Sequence, residues 1–179
     1  MVGPGYENFF SDVKKYFKEI IDKYNFSIEE SSPNRIRLLS SKCIITVVIA
    51  DYYQLETWVT NPTSPTKFYS TGIIMKIKNH HPTQISKSDE KSFNDSRKYE
   101  EYMGIRIKRG ATIFLQCLQY ILEGDFSWTG DYEKYHSEIS ELIRNVRNLS
   151  PQDPIHKKFL HDDPTWINDM QKRIKQSGG

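Results

Sequence analysis

The stretch "RIRLLSSKCIITVVIADYYQLETWVT", Arg35 to Thr60, decides the fold. Ile36 and Leu38 alternate with Arg35 and Arg37, and Leu55, Thr57 and Val59 alternate with Glu56 and Trp58. A period of two puts successive side chains on opposite faces of a strand. Between these runs, "CIITVVIA" from Cys43 to Ala50 is apolar without alternation, the pattern of a central strand covered on both faces. A serine pair and "DYYQ" separate the runs, so three neighbouring strands of an antiparallel meander are expected.

Working outward, "FSIEE" adds a strand before "SSPN". After the proline-bearing loop "TNPTSPTK", the run "TGIIMKIK" is expected to add another, with Ile73, Met75 and Ile77 facing away from Lys76 and Lys78. Upstream, Phe9, Phe10, Val13, Tyr16, Phe17, Ile20, Ile21 and Tyr24 recur at helical spacing, opposite Lys14, Lys15, Lys18 and Asp22. Downstream, Asn79 to Ser96 is polar and is expected to be a loop.

A second helix carries the stripe Ile113, Phe114, Cys117, Leu118, Ile121 and Leu122, with Gly104 and Gly110 as candidate breaks before it. A third, "DYEKYHSEISELIRNVRNL", carries Tyr132, Tyr135, Ile139, Leu142, Ile143 and Val146, and two short helices follow with proline near each start. The expectation is a single α+β domain over 1–179: an N-terminal helix, an antiparallel meander of four or five strands, then three or four helices packed on the sheet. The glycine-rich ends, 1–5 and 177–179, are expected to be flexible.

Composition narrows the function classes. Aromatic residues make up 13% and charged residues 27%, the range of a globular domain. Formal net charge is only +2, so no whole-protein field points to nucleic acid or to an anionic membrane. The longest apolar run is far shorter than the roughly 20 residues that span a bilayer. The start "MVGPGYENFF" is not a signal peptide, and the expected location is the cytoplasm, with Cys43 and Cys117 as reduced thiols inside apolar patterns. No G-x-S-x-G, phosphate loop, H-E-x-x-H or C-x-x-C occurs. "NHHPT" supplies no second ligand cluster, and His156 and His161 are five apart rather than three or four, so no metal and no cofactor is expected.

The most chemically loaded stretch, "ILEGDFSWTGDYEKYH", admits two readings. Asp125, Asp131 and His136 are the residues a hydrolase would use for acid/base work. The structural account assigns Gly124 to a helix end, Asp131 to the cap of the next helix, His136 to a half-buried helix edge, and Phe126 and Trp128 to the cover over a helix junction. That account needs no chemistry and is preferred, so no catalytic residue is expected. A second feature is the basic segment "RKYEEYMGIRIKRG", whose Arg97, Lys98, Arg106, Lys108 and Arg109 sit among tyrosines, a composition compatible with nucleic-acid binding. A third is a group of aromatics beside acids at expected strand turns and edges: Asp51, Tyr52, Tyr53, Glu56, Trp58 and Tyr69, the composition of a protein-binding hot spot.

An N-terminal amphipathic helix, the Arg35 to Thr60 stretch, and a helix ending in "ILEGDFSWTGDY" together resemble, over residues 6 to 147, small bacterial cytoplasmic immunity proteins of polymorphic or contact-dependent toxins. The resemblance implies a protein that is not an enzyme and that neutralises a toxin domain by binding it, often across the toxin's active site. Immunity proteins facing nucleases are commonly acidic, whereas this chain is slightly basic, which points to a non-nuclease toxin or to a local acidic patch.

Overall fold

The computed structural model describes residues 6–50, 54–79, 96–161 and 163–177. Asp51, Tyr52 and Tyr53, most of the expected loop, and the extreme ends 1–5 and 178–179 lie outside the described residues. The chain is α+β, with helices first, a five-stranded antiparallel sheet next and further helices after it. It divides into two compact units, the first ending at Trp128 and the second beginning at Thr129.

In the first unit, α1 (Phe9–Tyr16) and α2 (Lys18–Tyr24) replace the expected single helix. The break is at Phe17, whose ψ of 3° departs from helical geometry while its buried ring stays in the core. Asn25, with φ 54°, closes α2 in the left-handed conformation that asparagine tolerates. Strands β1 (Ser27–Ser32), β2 (Arg35–Leu39), β3 (Ile44–Ala50) and β4 (Gln54–Thr60) pair in sequence order. β3 is central and buried along its middle five residues, as its uninterrupted apolar run requires.

The register aligns one face across the sheet: Leu38, Ile45 and Val59 in one row, Ile36, Val47 and Thr57 in the next. Ile36, Leu38, Ile45, Val47 and Val59 are fully buried. α4 (Ser96–Cys117) packs on this face and against α1, with Phe114 beside Phe17 at 6.2 Å between ring centroids. It runs unbroken through Gly104 and Gly110. Both are close-approach points: a Cβ on Gly104 would sit 3.3 Å from the Asp12 carboxylate, and one on Gly110 would sit 3.6 Å from Thr57 Cγ2.

The expected strand "TGIIMKIK" is instead a helix, α3 (Thr71–Ile77), which buries Thr71, Ile74 and Met75 at helical spacing. The fifth strand is the two-residue β5 (Tyr69–Ser70), paired to Val59 and Trp58. After α4, Leu118 breaks the backbone and α5 (Gln119–Leu122) follows. Gly124, with φ 92°, then ends the helical run as expected of a glycine there.

The second unit is helical: α6 (Thr129–Arg147), α7 (Pro154–Leu160) and α8 (Thr165–Ser177). Its core joins Leu142 and Val146 of α6, Ile155 of α7, and Trp166 and Met170 of α8. Asp153 caps α7 by accepting from the Ile155 amide at 2.9 Å, with Pro154 in the first turn. The same carboxylate receives Arg173 of α8 at 2.6 Å, and Lys158 meets Asp169 at 2.5 Å, so two ion pairs tie α7 to α8.

Candidate functional site

Four consecutive residues of β4, Leu55, Glu56, Thr57 and Trp58, line one groove of about 550 Å³. Successive side chains of a strand point to opposite faces, so a groove touching all four runs along the strand's edge. It exists because β5 covers only Trp58 and Val59 and the chain then turns into α3. Among the described residues, no strand covers the border of β4 before Trp58.

The end of β5 is fixed by two hydroxyls. Thr57 Oγ1 and Thr71 Oγ1 lie 2.5 Å apart, and Thr71 Oγ1 donates to the Thr57 carbonyl at 3.1 Å. One arrangement of protons satisfies both: Thr57 Oγ1 donates to Thr71 Oγ1, whose own hydrogen goes to the carbonyl. Below them, buried Tyr69 meets the edge of Trp128 at 5.1 Å, and Trp128 Nε1 donates to the Asp125 carbonyl at 2.9 Å.

The facing wall belongs to α4: Arg106, Arg109, Gly110 and Ile113. The spacing i, i+3, i+4, i+7 places all four on one helix face. Arg106 Nη1 donates to Tyr102 Oη at 2.5 Å, and its guanidinium lies over that ring at 5.4 Å, which orients it. Among the described residues no carboxylate forms an ion pair with Arg106 or Arg109, and none of the cations does so with Glu56. At the lip, half-buried Trp58 packs edge-on against Phe68 at 6.1 Å, and Phe68 is 57% exposed.

The structure thus joins residues that the sequence left in separate hypotheses. Glu56 and Trp58 share a groove with Arg106 and Arg109 of the basic segment. Lys108 does not join them: it lines a second groove beside Lys15, Lys18, Glu19 and Asp22, where acids and bases are mixed. Asp51, Tyr52 and Tyr53 lie outside the described residues, as do the side chains of Arg97 and Lys98. Tyr69, expected at the surface, is buried, because β5 pairs it with buried Val59 and turns it to the same face, whereas Phe68, just before the strand, is exposed. The helix-face spacing of Arg106 and Arg109 was the available signal for the α4 wall. Nothing in the sequence announces that β5 stops after two residues.

The hydrolase candidates have structural occupations. Asp125 accepts from the Ser127 amide at 2.8 Å, and this bond, with a smaller contribution from Lys78, holds its carboxyl below the usual range. Asp131 lies in the first turn of α6 rather than at its cap, because the helix starts two residues earlier, at Thr129. His136 is exposed rather than half-buried and stacks on Tyr132 of the preceding turn, 6.0 Å away with planes 9° apart. Burial pushes the Cys43 thiol up to about 12, so it stays a neutral thiol in the core. His156 Nδ1 lies 3.1 Å from the Leu149 carbonyl, which can only accept, so that nitrogen carries the proton.

Among the described residues no group of three or more His, Cys, Asp or Glu is placed to hold a metal ion, and no helix is long and apolar enough to cross a membrane. The fold and groove define a class: an α+β chain whose sheet, among the described residues, keeps an open edge between an acidic-aromatic strand and an arginine-bearing helix. Comparison with family models, curated proteins and solved structures finds no match.

Proposed function

We propose that the protein is a non-catalytic binding module that docks another protein in the groove between β4 and α4. The observation that carries this reading is the juxtaposition of Trp58 and Phe68 with Arg106 and Arg109 around one groove. Tryptophan and arginine dominate binding hot spots because each combines a large contact area with a directed polar group. The two guanidiniums have no carboxylate partner among the described residues, and Arg106 is already oriented by Tyr102, so a ligand carboxylate would meet two uncompensated cations, one of them held in place. The resemblance to immunity proteins makes a toxin domain the first partner to test, neutralised by direct binding.

The experiment is affinity capture from lysate of the protein's own source, with and without nuclease treatment, with wild type, Trp58→Ala and Arg109→Ala side by side. A stoichiometric partner retained by wild type is expected to bind each variant more weakly by about 2 kcal/mol or more. Its activity should be inhibited by wild type and spared by Trp58→Ala. Equal retention by all three would remove the groove as the docking face. Recovery that vanishes on nuclease treatment and falls steeply with salt would instead assign the arginines to nucleic acid.

A further inference from the structure

The outer border of β4 carries more than side chains. Because the Thr57 carbonyl receives Thr71 Oγ1, Thr57 directs its main-chain groups away from β3. In a strand these directions alternate residue by residue, so Leu55 also directs its N–H and C=O outward, into the groove. These are the groups that β5 would have paired had it continued past Ser70. Gly110, opposite, lets α4 approach Thr57 closely, since a Cβ there would already lie 3.6 Å from Thr57 Cγ2, and the groove of about 550 Å³ along Leu55 to Trp58 supplies the space at the border.

Charge is divided across this border. Leu55 and Thr57 share the sheet face on which α4 packs, where Arg106 and Arg109 form the wall; Glu56 and Trp58 share the other face. An extended chain lying along β4 would present alternate side chains to the two sides. On the α4 side a carboxylate is attracted by two guanidiniums, and on the other side Glu56 repels one.

We propose that the groove takes an extended acidic segment of the partner by strand addition, in the place β5 vacates. Its main chain pairs with Leu55, and carboxylates on alternate residues meet Arg106 and Arg109. The inference rests on the reading of this groove as a protein-docking face. It adds the conformation and chemistry of what docks, since main-chain pairing supplies affinity and alternate side chains supply specificity.

The probe is a displayed library of random linear peptides selected on the full chain, with the enriched peptides then synthesised and measured by fluorescence anisotropy. Enriched sequences should alternate Asp or Glu with other residues and avoid proline. Methylating a single backbone nitrogen that faces β4 should lower affinity about tenfold or more, and the double variant Arg106→Gln/Arg109→Gln should do the same. Circular dichroism melting of the variant, matched to wild type, separates lost binding from lost folding. Peptides without acids, or affinities indifferent to both backbone methylation and the arginine replacements, would overturn the proposal. If they are indifferent but Trp58→Ala abolishes binding, strand addition falls and the docking face stands. If Trp58→Ala also binds as wild type, or no peptide is enriched, both fall. An oligonucleotide that displaces the selected peptides at lower concentration would replace the acidic segment as occupant.

Discussion

At one border of the sheet stands β1, exposed along nearly its whole length; at the other stands the part of β4 that β5 leaves uncovered. β1 carries the defences expected of an edge strand. Its register shifts between Glu30 and Ser32, and its two glutamates are both engaged, Glu29 with Arg37 at 2.9 Å and Glu30 with Lys14 at 2.6 Å. The β4 border has no such shift in its pairing with β3, and it borders an aromatic pair and two arginines without carboxylate partners among the described residues. An open edge invites unwanted pairing, so the proposed strand addition is assigned to the border that the sheet leaves open rather than to the one it guards.

The deepest way to break this contrast is to remove what holds β5. Tyr69 lies on Trp128, which is almost fully buried and anchored to the Asp125 carbonyl. Trp128→Ala is expected to cost about 3–5 kcal/mol, the range for emptying a large aromatic site. Amide exchange should show the β4–β5 pairs losing protection. A loss below about 1 kcal/mol would mean that β5 is held by other contacts and that the extent of the open border is set elsewhere.

A narrower break acts on the hydroxyl pair. Thr71→Val keeps the shape but removes the bonds to Thr57 Oγ1 and to the Thr57 carbonyl, and buried Thr71 stands where both count. A loss of about 1–2 kcal/mol in denaturant unfolding is expected, with Thr71→Ser close to wild type. Equal behaviour of the two variants would assign the effect to packing rather than to the hydroxyl.

Gly110→Ala sharpens the contrast from the opposite wall. The added methyl would meet Thr57 Cγ2 at 3.6 Å and Phe17 Cζ at 3.8 Å, ordinary contact distances. Relief of the glycine penalty inside α4 is expected to stabilise the chain by up to about 1 kcal/mol, while the groove narrows and ligand affinity falls. Stability and binding would then move in opposite directions, an outcome that a general folding defect does not produce.

The meander was legible because β-branched runs and period-two alternation are local properties of Arg35 to Thr60. Gly124 and Pro154 were legible for the same reason, since each acts on its own backbone. α3 was not. "TGIIMKI" is a short apolar run that fits either period, and its burial at Thr71, Ile74 and Met75 depends on neighbours that the run does not contain. The site divides along the same line. Glu56 and Trp58 follow from alternation within one strand. Their meeting with Arg106 and Arg109 depends on where β5 ends and on which face of α4 reaches the border, both of them tertiary facts. Tyr69 and Phe68 show how little separates the two outcomes: adjacent aromatics, one paired into β5 and in the core, the other just before the strand and 57% exposed.

The smallest effect lies on the guarded edge, at Glu29. The Ser31 hydroxyl and then Arg37 hold its carboxyl below the ordinary glutamate value, both at 2.9 Å. A carboxyl depressed in the folded state contributes stability that is present above its unfolded value and is lost as the pH falls through its folded value. The window therefore lies on the acid side of the ordinary glutamate range. Glu29 is exposed, so water and salt screen the contribution. Its NMR titration midpoint is expected below that of a free glutamate side chain, rising on Ser31→Ala and rising less on Arg37→Gln. Added salt should reduce the Arg37 part more than the Ser31 part, because the Arg37 contact is a charge pair as well as a hydrogen bond and the ionic atmosphere screens the charge. A midpoint at the ordinary value would show that Glu29 is not engaged in solution, and the register shift and the Glu30–Lys14 pair would then carry the difference between the β1 border and that of β4.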